Sequence, residues 1–555
     1  MPNLDSAIAD ASGRPLENPN RTTYRGGRWI FLFVVFVCAV YTAHVVQWSA
    51  RWGRLAMDPV YDDVGYLTDG LDRLGAFQHS GLRGLSESLA HAPPHSPYST
   101  LIATLAFDLF GVHDWAPYIL NACPLLIFLL LAAVLVQTPN RWAKILILLT
   151  LLMSQLPFQC ILQFRPDFPL AVFTAACISL LLKEGCWESP PDRKTYRYFL
   201  IGLVGGIAIL IKPPFFPATL ALIVGAFALA EIDRFVLSRE ERSLVSTLQR
   251  GLLLLAGILI LATPFFLLNW KEILGYIAIN TGSGAEATMW KESGGFWASL
   301  VNRVRGYPIY LTFGPLATPL AIWIGIGLAF QAVLKRWRPL IFTVSFLLLT
   351  AASLVILALI GMTDPNFSFS WEVLFALAAA VSIGQLATVP YGRFLIILYF
   401  ASTAFIYYKA GPPKQIWMLD PDTTKGHSLN QAVLDSISQP ASSDESPKHV
   451  FLTFIGSVNA GSQAWLARTQ DRAIQVDDFH RAPSPEDLLK RAEKAQFVEV
   501  ADPNSTSLSK WVPTNHQQAV FLERMRQNQD FEEVRSFAGR NTTIYLFRKK
   551  AASPQ

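Results

Sequence analysis

Two adjacent carboxylates and a phenol stand close together in Asp58-Pro59-Val60-Tyr61-Asp62-Asp63-Val64-Gly65-Tyr66. Chemistry at a hydroxyl needs a base poised to take its proton, and a carboxylate can serve, so Asp62 and Asp63 are candidates with Tyr66 beside them. The same acids suit the start of a helix over 64–74, and acidic loop residues are common, so a capping or solvated role stands beside the catalytic one. Arg165-Pro166-Asp167 puts a cation and an acid in one turn. There Asp167 can cap the following helix, pair with Arg165 or face a substrate. The run Gly202-Leu203-Val204-Gly205-Gly206-Ile207-Ala208-Ile209-Leu210-Ile211-Lys212-Pro213-Pro214 ends on a lysine pinned by prolines. Its glycines permit a neighbouring helix to approach closely. Lys212 either snorkels to an interface as an anchor or offers its ammonium, a point charge, to a lipid-linked phosphate. His91 and His95 are four residues apart, but Pro93 and Pro94 exclude the helix that would make this spacing a metal pair, and no metal site is expected there. Glu372, beside Trp371, is either solvated at a membrane boundary or functional.

A membrane must position these groups. Of 555 residues, 52% are hydrophobic and 16% charged, with a mean hydropathy of +0.33. Soluble domains carry roughly 25% charged residues. Apolar stretches near the ~20-residue spanning length lie at about 29–48, 116–136, 143–163, 168–183, 199–212, 214–230, 251–270, 307–334, 339–361, 371–389 and 394–409, predicting about eleven crossings. The stretch 98–110 is too short and contains Asp108, and is read as an interfacial helix on the outer face. Arg21, Arg25 and Arg28 precede the first span and place the N-terminus in the cytoplasm. No small-residue cleavage site follows that span, so it reads as a retained anchor.

Eleven crossings place Arg141/Lys144, Lys183 to Arg197, Asp233 to Arg250, Lys335/Arg336/Arg338 and Arg393 inside, as the positive-inside rule requires. A crossing at 98–110 would invert every later loop. The candidate residues then share the outer face: loop 49–115, the turns at 165–167 and 212–214, loop 271–306 and the segment 362–370. Orientation accounts for the modest net charge of +5, and no nucleic-acid partner is implied. The five cysteines have neither metal-ligand spacing nor a disulfide pattern. After about residue 410 the charge rises, and strand-length apolar runs at 449–455, 496–500 and 542–547 alternate with helical patterns at 485–495 and 516–531. This is the signature of a small α/β domain, outside the cytoplasm by parity. The chain therefore divides into a cytoplasmic tail 1–28, a membrane domain 29–410 and an extracytoplasmic domain 411–555.

Taken in order, these features resemble the GT-C superfamily of polytopic glycosyltransferases, most nearly its protein O-mannosyltransferase and aminoarabinose (lipid A) transferase branch. That branch has an acidic D-E-x-x-Y motif in its first outer loop, matched by Asp62-Asp63-Val64-Gly65-Tyr66, with Asp63 in place of Glu. A K/R-P-P-x-x-P segment and an L-F-G ending are matched by Ala92-Pro93-Pro94-His95-Ser96-Pro97 and Leu109-Phe110-Gly111, with Ala92 in place of the basic residue. The R-P-D turn is Arg165-Pro166-Asp167, and G-L-x-x-G-x-A-x-L-T-K-G-P is met at 202–213 with Ile211 for Thr and Pro213 for Gly. The late outer motif, usually basic or bearing histidine, reads Asn366-Phe367-Ser368-Phe369-Ser370.

The resemblance implies a mostly α, GT-C-like bundle that moves a sugar from a polyprenyl-phosphate donor to a lipid, glycan or protein acceptor, with inversion. It implies Asp62 and Asp63 in catalysis, and Lys212 with His91 or His95 at the donor phosphate. Tyr66, Arg165 and Asp167 would position substrates, and Asp58, outside the motif, should matter less than Asp62. No cofactor is required, although a divalent metal is compatible with the acidic loops. The implied location is a bacterial inner membrane with the site on the extracytoplasmic face. The alternative is a non-enzymatic transporter or scaffold for lipid-linked saccharides.

Overall fold

Each of the eleven apolar stretches is helical over most of its described residues, because a long apolar segment satisfies its own backbone groups only by coiling. The computed structural model describes residues 19–59, 61–91, 96–138, 140–186, 195–237, 243–281, 294–306, 309, 312–361, 365–389, 391–410, 421–437, 447–453, 458–478, 484–504, 512–539 and 542–550. The helices run α1 Pro19–Trp52, α2 Tyr61–His91, α3 Pro97–Phe110, α4 Ala116–Leu120, α5 Ala122–Leu135, α6 Arg141–Met153, α7 Gln155–Leu162, α8 Asp167–Cys186, α9 Tyr196–Ile211 and α10 Phe216–Leu237. They continue with α11 Leu244–Asn280, α12 Gly295–Arg305, α13 Ala317–Val333, α14 Trp337–Ile360, α15 Phe369–Leu386 and α16 Gly392–Ala410. Among the described residues eight helices are long and apolar enough to cross a membrane, and α6 with α7, bent by 57°, would make a ninth. The other two expected stretches are α9, of 16 residues, and α16, of 19.

Close packing of α9 on α11 sets where Lys212 emerges. A Cβ on Gly202 would lie 2.2 Å from the Leu254 carbonyl, and one on Gly257 would lie 2.2 Å from the Phe199 carbonyl. Only glycine allows the two backbones to touch this way. At the opposite end of the bundle, Glu231 accepts from Arg234 at 2.7 Å and from Arg250 at 2.5 Å, and Arg234 Nη2 also reaches the Glu184 carbonyl at 3.1 Å. Two of the basic segments expected in the cytoplasm, 183–197 and 233–250, thus meet.

At the other end, α2 and α3 lie across the bundle. The helix expected over 64–74 is much longer, running to His91 with a break at Ser80 and Gly81, where Gly81 has φ 61°. Val64, Leu67 and Leu74 recur at helical spacing and bury one face of α2 with Ala103, Ala106 and Phe107 of α3. Ser96 caps α3, its Oγ accepting from Ser99 N at 3.2 Å, so the expected interfacial helix begins at Pro97.

Beyond α16 lies the α/β domain: α17 Pro421–Ile437, β1 Lys448–Leu452, α18 Ala460–Thr469, β2 Ile474–Asp478, α19 Pro485–Ala492, β3 Phe497–Ala501, α20 Gln518–Gln527, β4 Phe531–Ala538 and β5 Thr543–Lys549. The sheet order is β2-β1-β3-β5-β4, with β1 parallel to β2 and β3, and β5 antiparallel to β3 and β4. Alternation along the strands sends Val450 and Ala501 toward α17 and α18, and Phe451 and Val500 toward α19 and α20. Strands β2 and β4 and helices α17 and α18 go beyond the sequence expectation. The helical pattern expected to Phe531 stops at Gln527, where β4 takes over.

Glu499 in β3 is an exception to this apolar core. It is buried beneath α18, and its Oε2 accepts from Gln463 Nε2 at 2.8 Å. Burial pushes its carboxyl from the usual 4.5 up to about 8, only partly offset by the Gln463 bond. A carboxyl whose folded value lies above its unfolded one favours folding only while protonated. Stability should thus be full below about pH 4.5 and fall toward pH 8 by about 1.4 kcal/mol per pH unit. Thermal unfolding of the full chain from pH 5 to 8.5 should show the domain's transition moving down, and Glu499→Gln should flatten that dependence.

The domain docks on α2, as described below, and so shares a face with the first outer loop. A reporter active only in the cytoplasm, fused after Lys550, should therefore stay silent if the first span leaves the N-terminus inside. A signal from it would overturn the eleven-crossing arrangement.

Candidate active site

The acidic pair opens α2, where a helix N-terminus favours carboxylates. The structure gives its two members different surroundings. Asp63 is sealed, its side chain 3% exposed. Its Oδ2 accepts from Tyr118 Oη at 2.6 Å, from Arg54 Nε at 3.3 Å and from the Phe164 backbone N–H at 3.3 Å. Arg165 Nε lies 3.8 Å from its other oxygen. Asp62 instead keeps a 61% exposed carboxylate, with Arg165 Nη1 at 3.5 Å from Oδ2. Asp63 is thus placed to hold the start of α2 against the bundle, whereas the Asp62 carboxylate stays largely open to solvent.

Arg165 is the bridge. It sits in the turn between α7 and α8 with its side chain 8% exposed, facing both acids. Two residues on, Asp167 opens α8 and accepts from Lys212 Nζ at 2.7 Å, both side chains buried. Lys212 follows α9 directly, since Pro213 has no N–H with which to continue the helix. Its ammonium also lies 4.6 Å from the Phe215 ring centre and 4.3 Å from that of Phe367, a cation held between a carboxylate and two aromatic faces. Tyr66 packs edge-on to Phe164, ring centres 6.4 Å apart. Burial raises its phenol well above the ordinary range, and the nearby Asp62 and Asp167 carboxylates add to this. It is a neutral hydroxyl able to donate.

Asp62 and Asp63 with Arg165, and Asp167 with Lys212, therefore form two ion-paired groups joined by the Arg165–Asp167 turn, with Tyr66 near the acids of both. The histidines are placed differently. His91 ends α2 exposed, its Nδ1 2.8 Å from the Glu87 carbonyl oxygen, and His95 lies outside the described residues. The described chain resumes at Ser96, whose Oγ donates to the Ile211 carbonyl at 2.7 Å, next to Lys212. Glu372, for which solvation was one expectation, is fully buried in α15 with the Arg303 guanidinium and Thr312 near it. Among the described residues no group of three or more His, Cys, Asp or Glu side chains is arranged to hold a metal.

Three contributors escaped the sequence reading. Arg54 and Arg303 are cations on the expected outer face, and Arg303 Nη1 donates to Ser368 Oγ at 3.0 Å, one residue from Phe367. A cation on the outer face runs against the positive-inside bias, and that signal marks both in the sequence. Asp58, expected to matter less than Asp62, is buried, and its Oδ2 accepts from Asn430 Nδ2 at 2.8 Å. No local signal marks a partner 372 positions away.

A family model described as dolichyl-phosphate-mannose-protein mannosyltransferase matches residues 94–267, which include the Arg165–Asp167 turn and Lys212. The structure of ArnT from Cupriavidus metallidurans bound to undecaprenyl phosphate shares the fold with a TM-score of 0.56 at 13% identity, over 93% of this chain and 97% of that one. The archaeal oligosaccharyltransferase AglB from Archaeoglobus fulgidus, in complex with an inhibitory peptide and a dolichol-phosphate, aligns with a TM-score of 0.46 at 13% identity, over 85% and 69% of the two chains. A search of curated proteins finds no match. Residues 94–267 thus resemble that mannosyltransferase family, and the chain as a whole shares the fold of the ArnT structure.

Proposed function

We propose that the protein transfers a sugar from a polyprenyl-phosphate donor to an acceptor on the extracytoplasmic face of a bacterial inner membrane, with inversion at the anomeric carbon. The observation that carries this reading is the coupling, through one turn, of an exposed carboxylate, Asp62, to a buried lysine–aspartate pair, Lys212–Asp167. Asp62 takes the proton of the acceptor hydroxyl as its oxygen attacks the anomeric carbon. The bond from that carbon to the phosphate oxygen breaks, and its electron pair leaves with the polyprenyl phosphate. Lys212 opposes the charge that builds on the leaving phosphate. An ammonium has three donors, so one can hold Asp167 while others face the phosphate. Such charge counts for more where water is scarce.

Arg165 holds Asp62 in place, and Tyr66 donates to donor or acceptor. Asp63 anchors the helix that carries the base. If the acceptor is itself a phosphate, it arrives without a proton to lose, and Asp62 positions it. These groups supply the positive charge the step needs, so the proposal requires no metal. Purified protein should release labelled sugar from a polyprenyl-phosphate donor onto an acceptor in a membrane extract. Stoichiometric donor binding without any turnover would instead favour a transporter or scaffold.

A further inference from the structure

The helix that begins with Asp62 is held from two sides, and only one belongs to the membrane domain. From below, Asp63 is tied to Arg54, Tyr118 and the Phe164 N–H. From above, the C-terminal domain grips the residues that lead into the helix. Asn430 of α17 donates to the buried Asp58 carboxylate at 2.8 Å, and Ser462 of α18 donates to the Pro59 carbonyl at 2.7 Å. Next to Ser462, Gly461 lies against Val64, so close that a Cβ on Gly461 would meet Val64 Cγ1 at 2.5 Å. On the same helix Trp465 packs at a tilt against Phe107 of α3 with ring centres 5.9 Å apart, and Arg468 pairs with Asp72 at 2.9 Å. Helix α18 is itself seated on the sheet by the Gln463–Glu499 bond.

We propose that the C-terminal domain is a positioning clamp for the catalytic carboxylate, with Asn430 and Ser462 as its positioning residues. This rests on the reading of Asp62 as the base. The physical reason is that the first turn of a helix has no intrahelical partners for its N–H groups and frays readily. A base on that turn is defined only as well as the chain before it. Asp58 and Pro59 stand three to four residues ahead of Asp62. Fixing their side chain and carbonyl from one side, and Asp63 from the other, leaves Asp62 little freedom. Neither bond has any part in the transfer step as proposed.

The test uses the full chain in detergent with a labelled polyprenyl-phosphate sugar. Asn430→Ala should lower kcat roughly ten- to a hundredfold, the scale set by small misplacements of a reacting group. The donor KM should stay within about twofold. Amide exchange at residues 61–66 should rise. Ser462→Ala removes one hydroxyl, leaves no buried charge and should give the same pattern more mildly, which keeps the test open if Asn430→Ala folds poorly.

The rescue is geometric. A Cβ at position 461 lies 3.6 Å from Val64 Cβ, within the range of disulfides. In the Asn430→Ala background, Val64→Cys with Gly461→Cys should recover most of the lost kcat when oxidised and lose it again when reduced. Raised exchange with parental kcat overturns the clamp, as does a kcat loss that the oxidised pair fails to restore. The exchange readout needs no substrate. Unchanged protection at 61–66 in Asn430→Ala overturns the clamp whatever the parent's activity, whereas an inactive parent overturns the transferase reading alone.

Discussion

Asp62→Asn should cut sugar transfer by roughly 10²- to 10⁴-fold, the usual share of a general base, while protein abundance stays at the parental level. Both halves follow from exposure. The Asp62 carboxylate is 61% exposed and its pairing with Arg165 is 3.5 Å long, so losing the charge should cost well under about 1 kcal/mol of stability. Asn keeps the shape but cannot accept the proton. Asp63→Asn should behave in the opposite way. It replaces a sealed carboxylate that faces Arg54, Arg165 and Tyr118, so the main loss should be in folded protein recovered. Initial rates per folded molecule, with thermal unfolding on the same preparations, separate the two. Near-parental turnover in Asp62→Asn would remove it as the base, and a phosphate acceptor would then be the reading to pursue.

Lys212→Met should be as severe in rate and should also destabilise the chain. The sequence alone suggests that Met, keeping the apolar stem, would leave the fold intact. The structure changes that expectation, because Asp167 would be left buried without its partner at 2.7 Å. Breaking a buried pair on one side costs about 3–5 kcal/mol. Asp167→Asn combined with Lys212→Met removes both charges and should regain most of the stability, yet remain inactive. Lys212→Arg should retain part of the activity, since a guanidinium can meet Asp167 and stack on Phe215 or Phe367, although its planar fork is bulkier than the ammonium. Donor titration and thermal unfolding of the three variants would decide it. A stable double variant that transfers sugar like the parent would reduce Lys212 to an interfacial anchor.

The sequence determined whatever depends on local composition. Span length, apolarity and the side on which basic loops fall are properties of short windows, so all eleven stretches were legible, as were Asp62, Arg165, Asp167 and Lys212 as unusual groups at one end. The α/β character of the last quarter was legible too, through β1, β3 and β5, whose apolar runs sit inside the sheet. The edge strands β2 and β4 were not, because an edge strand can carry charge freely, and Glu532, Glu533 and Arg535 mask the pattern of β4.

Only the tertiary structure decided which carboxylate of the pair is sealed. Neighbours on a helix point about 100° apart, and what each meets depends on Arg54, Tyr118 and Phe164, contributed by three other segments. The same holds for Asp167 with Lys212, Arg303 near Glu372, and Asp58 with Asn430. Such partnerships join residues tens to hundreds of positions apart. Burial sets their energies, and burial exists only once the helices have packed.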